Sequence, residues 1–203
     1  MQDINILVFG ASITYGESDS EFGGWVNRMR LHLETDNKKS YNVYNLGISG
    51  EVTEETLQRV ENECKTKRIR KNDKTLIIFA VGMNDTQDVQ GENRVDVMHF
   101  QSNINELINK AKKFTKDIVY IGMTNVDETK VVPIPWDKQK SYLNKKIVEF
   151  DNAIEKVCSD NEVKYIKMYG LLSIDELSDG LHPNSAGHKK MFEKILCDIT
   201  ELL

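Results

Sequence analysis

Cysteine is scarce in this chain of 203 residues, which carries only Cys64, Cys158 and Cys197. They are widely spaced, odd in number and include no CxxC pair, so they supply neither a disulfide framework nor a zinc site. They read as reduced, mostly buried thiols, which fits a cytoplasmic protein. Proline and glycine are also few, at 3 and 12, which excludes collagen-like and low-complexity chains. Long apolar runs are missing. The longest, Leu76–Met83, falls far short of a membrane span, and no transmembrane helix is expected. The N-terminus, Met-Gln-Asp-Ile-Asn-Ile-Leu-Val-Phe-Gly, has no basic n-region and no extended h-region, so no signal peptide is expected. Basic charge is not in excess either. Against 27 Lys+Arg stand 32 Asp+Glu, a formal net charge of −5. That balance argues against nucleic acid, whose binding is dominated by phosphate neutralisation.

What is present is ordinary globular composition, 39% hydrophobic and 29% charged. The length suits one domain over residues 1–203, able to bury a core without staples. Five short β-branched runs stand out, at Ile4–Phe9, Tyr41–Leu46, Thr75–Val81, Asp117–Met123 and Val163–Met168. Thr75–Val81 is apolar on both alternating faces, as in a parallel sheet covered on both sides. Helical patterns lie between the runs. Leu143, Ile147, Phe150, Ile154 and Val157 make one apolar stripe, and Phe100, Ile104, Leu107, Ile108 and Ala111 another. Leu57, Val60 and Cys64 make a shorter one, and Phe192, Ile195, Leu196 and Ile199 the last, with Asn184 or Ser185 as its cap. A further helix is predicted over Gly24–Glu34. Strand–helix alternation of this kind implies a parallel sheet with helices on both faces. The one long irregular stretch, Asn125–Asp137, contains Pro133 and Pro135 and is unusually apolar. Long loops in compact domains are often functional.

Ligands of open parallel sheets bind outside the carboxyl ends of the strands. After the first strand comes Gly10-Ala-Ser-Ile-Thr-Tyr-Gly16, after the second Asn45-Leu-Gly-Ile-Ser-Gly50, and after the third Gly82-Met-Asn-Asp85. Before the last helix comes Asp179-Gly-Leu-His-Pro-Asn184. All four segments are expected at one rim. Serine needs a base to become a nucleophile, and histidine is the usual one. Ser12 sits just past a strand. His182 follows Asp179 by three residues, so one short loop can present both, with Asp179 accepting the Nδ1 proton. Acyl transfer also needs donors for a developing oxyanion. The N–H groups of Gly47 and Ser12 and the side-chain amide of Asn84 can serve. Each piece alone reads more readily as a turn or a helix cap; it is their joint appearance in this order that points to acyl transfer.

With these blocks in view, the chain resembles the SGNH hydrolases, also called the GDSL esterase/lipase family. Phe9-Gly-Ala-Ser-Ile-Thr-Tyr-Gly16 looks like the family's first block, with Ser12 at the nucleophile position. Asn45–Gly50 looks like the second, with Gly47 at the oxyanion glycine. Gly82-Met-Asn-Asp85 matches the GxND block, with Asn84 as the oxyanion amide. Asp179-Gly-Leu-His182 matches the DxxH block. The resemblance implies a flavodoxin-like three-layer α/β/α sandwich with a five-stranded parallel sheet. It also implies hydrolysis of a carboxylic ester through an acyl-enzyme on Ser12, with no cofactor and no metal. Ala11 stands where the family usually has Asp, which removes a carboxylate beside the nucleophile but no member of a triad.

Two other classes of function compete. A doubly wound sheet invites a nucleotide, but Gly10–Gly16 fits neither phosphate-loop spacing, and the second strand ends without the acid that takes a ribose hydroxyl. A catalytically silent acyl- or carbohydrate-binding relative has Ala11 as its motive. The partner expected is a small-molecule ester, and an acidic chain without an amphipathic anchor makes a soluble ester more plausible than a membrane lipid. His32, His99 and His188, without an obvious carboxylate at fixed spacing, read as non-catalytic. Asp85 reads as a structural hydrogen-bond partner, and the basic run Lys65–Lys71 as a solvated helix end. Trp136 and Tyr142 either line a pocket or pack the long loop.

Overall fold

The computed structural model describes residues 3–35, 39–66 and 73–203. In chain order the first half runs β1 (Asp3–Gly10), α1 (Ser12–Tyr15), α2 (Trp25–Leu33), β2 (Ser40–Gly47), α3 (Thr53–Thr66) and β3 (Lys74–Ala80). A 3₁₀ turn at Met83–Thr86 leads into β4 (Asp88–Val89) and β5 (Glu92–Asn93), followed by α4 (Val97–Ala111), β6 (Asp117–Ile121) and α5 (Glu128–Val131). The rest is β7 (Lys140–Ser141), α6 (Asn144–Asp160), β8 (Lys164–Ile166) and α7 (Ser185–Ile199), with 3₁₀ turns at Ile174–Glu176 and Thr200–Leu202. The basic run beyond Thr66 lies outside the described residues.

β1, β2, β3, β6 and β8 form one five-stranded sheet in the order β2-β1-β3-β6-β8, every pair parallel. This is the flavodoxin-like winding, whose reversal next to β1 opens a crevice at the carboxyl ends of β1 and β3. The residues dictate the layering. Side chains alternate across a strand, so Ile4, Ile6 and Val8 of β1 join Trp25 and Met29 of α2 and Met191 and Ile195 of α7. Leu7 and Phe9 join Val60 of α3, Phe100 of α4 and Phe150 of α6. β3 divides the same way, with Leu76 and Ile78 on one face and Ile77 and Phe79 on the other. Both faces are therefore covered, and all five periodic helices and all five strands lie where their patterns predict.

Caps set the helix starts that matter for the cleft. Asn184 Oδ1 accepts from Gly187 N–H at 3.1 Å and starts α7, while Asp96 accepts from the N–H groups of Met98 and His99 and starts α4. The small antiparallel sheet β5-β4-β7 has no counterpart in the sequence reading. It ties the segment after β3 to the end of the long stretch before α6, with Asp88 paired to Ser141 and Val89 to Lys140. Part of that stretch is helical, over Glu128–Val131.

Candidate active site

The four loop segments meet. Ser12, Gly50, Asn84, Asp179 and His182 line one open cavity of about 560 Å³ at the carboxyl ends of the strands. Ser12 opens α1 directly after β1, so its side chain leaves a turn rather than a strand face. His182 and Asp179 come from the loop that precedes α7.

Three side chains stand in a hydrogen-bonded row. Ser12 Oγ lies 2.9 Å from His182 Nε2, and His182 Nδ1 lies 2.7 Å from Asp179 Oδ2. The other Asp179 oxygen accepts from the N–H groups of Leu181 at 2.9 Å and His182 at 2.8 Å. Burial alone would raise the Asp179 carboxyl; the bonds from the His182 ring and the two N–H groups outweigh it and hold the group down to about 2. A carboxylate in that state accepts the Nδ1 proton and leaves Nε2 free to accept from the serine hydroxyl. Trp136 stacks on the His182 ring, centroids 6.3 Å apart, and is itself half exposed at the mouth.

Asn84 is buried on the turn after β3. Its Nδ2 donates to the Glu51 carbonyl at 3.0 Å, and its Oδ1 accepts from the Tyr142 hydroxyl at 2.8 Å. One amide N–H remains uncommitted, because the group has two. Glu51 is itself fixed by Arg59 and Thr56. Asp85 points the other way, into the protein, where both its oxygens accept from Thr53. Burial raises its carboxyl to about 6 against those bonds. It is a structural partner, as its position after Asn84 suggested.

Gly47 requires a correction. It does not line the cavity. β2 runs one residue further than its apolar pattern, and Gly47 still pairs with Gly10 in the sheet. Its N–H donates to Asn45 Oδ1 at 3.0 Å. Gly50, three residues on, is the glycine of this segment that lines the cavity with Ser12; its φ is +83°, and a Cβ there would meet open space. Among the described residues its N–H has no protein acceptor. Two glycines after one strand were the available signal, and only the strand's true end distinguishes them.

The turn bearing Ser12 is braced from behind. Asn45 Nδ2 donates to the carbonyls of Thr14 at 2.9 Å and Tyr15 at 3.3 Å. His188, fully buried, accepts from Trp25 N–H through Nδ1 and donates from Nε2 to the Glu17 carbonyl at 3.0 Å. It is a strut, and burial lowers its pKa. His32 packs edge-on against Phe192. His99 does have a carboxylate neighbour, Asp96 at 3.9 Å, but both are exposed and neither lines the cleft. The rest of the cavity wall carries both charge signs. Glu17 accepts from Ser49 at 3.0 Å, Lys140 pairs with Asp137 at 2.9 Å, and Arg94 also lines the wall. Among the described residues no three His, Cys, Asp or Glu side chains gather as metal ligands would, and no helix is long and apolar enough to cross a membrane.

The sequence profile of the GDSL-like Lipase/Acylhydrolase family matches residues 8–190. No curated protein matches the chain. Among solved structures, a member of the lipolytic protein G-D-S-L family from Veillonella parvula is 20% identical with a TM-score of 0.75, covering 97% of this chain and 98% of its own. A lipase/acylhydrolase from Enterococcus faecalis is 20% identical with a TM-score of 0.75, covering 99% and 96%. An acetyl xylan esterase from Geobacillus stearothermophilus, in a W215I form, is 17% identical with a TM-score of 0.75, covering 96% and 94%. At such identities the likeness is one of fold.

Proposed function

The chain belongs to the GDSL-like lipase/acylhydrolase family, and on that premise we propose that it is a serine hydrolase of carboxylic esters that works through an acyl-enzyme on Ser12. The observation that carries the reading is the row Ser12 Oγ–His182 Nε2–Asp179, at 2.9 and 2.7 Å. Ser12 Oγ attacks the ester carbonyl carbon while His182 Nε2 takes its proton. Asp179 holds the imidazole in the required tautomer and stabilises the imidazolium that forms. The tetrahedral oxyanion is met by the Ser12 N–H, the Gly50 N–H and the one N–H of Asn84 Nδ2 that is not given to the Glu51 carbonyl, all at the same cavity. Gly50 takes the role expected of Gly47, whose N–H is spent on Asn45. Collapse of the intermediate expels the alcohol, which receives the proton from His182. Water, activated by the same histidine, then releases the acid and restores Ser12.

The cleft is open and lined by Glu17, Gln87, Arg94, Asp137 and Lys140 as well as by Ile134, Trp136 and Leu181. A wall so mixed suits a polar alcohol portion better than a long aliphatic one. The test is hydrolysis of p-nitrophenyl esters from acetate to decanoate, wild type beside Ser12→Ala. The expected result is turnover that depends on Ser12 and favours the short acyl chains. Near-equal turnover by the Ser12→Ala protein overturns the mechanism.

A further inference from the structure

To meet an oxyanion the Asn84 carboxamide must be aimed, and a plain amide can rotate about its last bond. In this fold it is gripped at both ends. Nδ2 donates to the Glu51 carbonyl, and Oδ1 accepts from Tyr142, whose hydroxyl in turn accepts from Gln87 Nε2 at 3.1 Å. Tyr142 is 2% exposed and comes from the long stretch before α6, far from Asn84 in sequence. The small sheet explains how it arrives there. β4 starts two residues after the turn that carries Asn84, and its partner β7 ends at Ser141, one residue before Tyr142. Lys146, in the first turns of α6, adds a 2.6 Å ion pair to Asp88 of β4. The Tyr142 N–H donates to the Val131 carbonyl at 3.1 Å, so the backbone is fixed on its other side as well.

We propose that Tyr142 is a positioning residue for ester hydrolysis: its hydroxyl fixes and polarises the Asn84 carboxamide so that the remaining amide N–H meets the oxyanion. The inference rests on the serine-hydrolase reading. The physical ground is the direction of the chain Gln87 to Tyr142 to Asn84. Each donor strengthens the next, and a hydrogen bond received at an amide oxygen draws charge from the nitrogen and makes its N–H a better donor. With one orientation enforced before the reaction starts, nothing has to reorganise as charge develops. Burial pushes the Tyr142 hydroxyl up to about 12, so it remains a donor at any ordinary working pH.

Tyr142→Phe keeps the ring and its packing and removes only the hydroxyl. The expected result is a fall in kcat of about tenfold with KM changed less than about twofold. The affinity for a boronic acid that forms a tetrahedral adduct on Ser12 falls by the same factor. The decisive arm is the double variant. On an Asn84→Ala background the Tyr142→Phe change has no further effect, since the group it positions is gone. Gln87→Ala, which leaves the tyrosine in place, lowers kcat by about threefold and guards against a Tyr142→Phe protein that fails to fold. Wild-type kcat in both Tyr142→Phe and Gln87→Ala, or an equal loss from Tyr142→Phe with and without Asn84, overturns the inference while Ser12-dependent turnover of the wild type upholds the enzyme. A wild type without Ser12-dependent turnover overturns both.

Discussion

Gly47 lies so close to Tyr15 that a Cβ added to it would stand 2.4 Å from the Tyr15 nitrogen and 2.9 Å from the Ala11 carbonyl oxygen. The residue is therefore a steric requirement of the turn that carries Ser12, and its N–H is already given to Asn45 Oδ1. Gly47→Ala forces that turn away from β2. The expected cost is about 1–3 kcal/mol of stability, with Ser12 displaced enough to slow turnover on the order of 10²-fold. Gly50→Ala meets no atoms and costs about 1 kcal/mol for its positive φ. Urea unfolding of the two variants, beside their rates of Ser12 labelling by a fluorophosphonate, checks the contrast. A Gly47→Ala protein as stable and as reactive as wild type refutes it.

Asp179→Asn tests the row from its far end. The variant keeps an oxygen for the N–H groups of Leu181 and His182, so the loop retains its shape. It presents an amide where His182 Nδ1 needs an acceptor, which selects the tautomer that cannot take a proton from Ser12. The expected loss is roughly 10³–10⁴ in kcat at neutral pH, with a fall in unfolding free energy no larger than the stabilisation that the depressed Asp179 carboxyl supplies there. Steady-state kinetics and a melting curve on the same preparation read both. A loss of activity matched by a large loss of stability would show that the carboxylate holds the loop and not the histidine.

Most of this architecture was legible because it is periodic. The five strands and five long helices bury whole faces, and the hydrophobic pattern records that directly. Ser12, Asn84, Asp179 and His182 were legible for another reason: each sits just outside a periodic element, where the parallel-sheet rule puts ligand contacts. The sequence assigns the oxyanion role to Gly47 and not to Gly50, because the apolar pattern of β2 stops at Leu46 while its ladder continues to Gly47. β4, β5 and β7 were invisible, since two residues show no period. With them went the role of Tyr142, which depends on a pairing between Asp88 and Ser141 that no local signal announces. Arg94 reaches the cleft by way of the same small sheet, as the residue directly after β5.

The three cysteines divide sharply by environment. Cys64 and Cys158 are buried in the core between the sheet and α3, α4 and α6, and burial pushes each thiol up to about 12. Cys197 is exposed on α7. Since the thiolate is the reactive form, iodoacetamide at pH 8 is expected to modify Cys197 alone in the native protein. The other two become reactive only after unfolding in urea, as mass spectrometry of the digested protein would record. Rapid native labelling of Cys158 would mean that the packing around Phe150 and Ile154 is looser than described.

Asp85 gives the protein a pH dependence of uncommon sign for a carboxylate. Its side chain is fully buried, and burial raises it to about 6 in the folded state, against about 4 in an unfolded chain. Below pH 4 both states hold the proton. Between 4 and 6 the unfolded chain releases it and the folded one retains it, so this group's contribution is complete at low pH and is lost as pH rises through 6. Asp19 and Asp179 act oppositely. Each is held to about 2, the first chiefly by Arg28 and backbone N–H groups acting against burial, and their contributions disappear only as pH falls below 4. The two windows do not overlap. Asp85→Asn retains an oxygen for Thr53 and cannot ionise. Its destabilisation relative to wild type is expected to be greater at pH 4 than at pH 7 by on the order of 2 kcal/mol. Urea denaturation of the pair at half-unit steps from pH 4 to 7 measures the difference, and a constant gap across that range would place the Asp85 carboxyl back among ordinary surface acids.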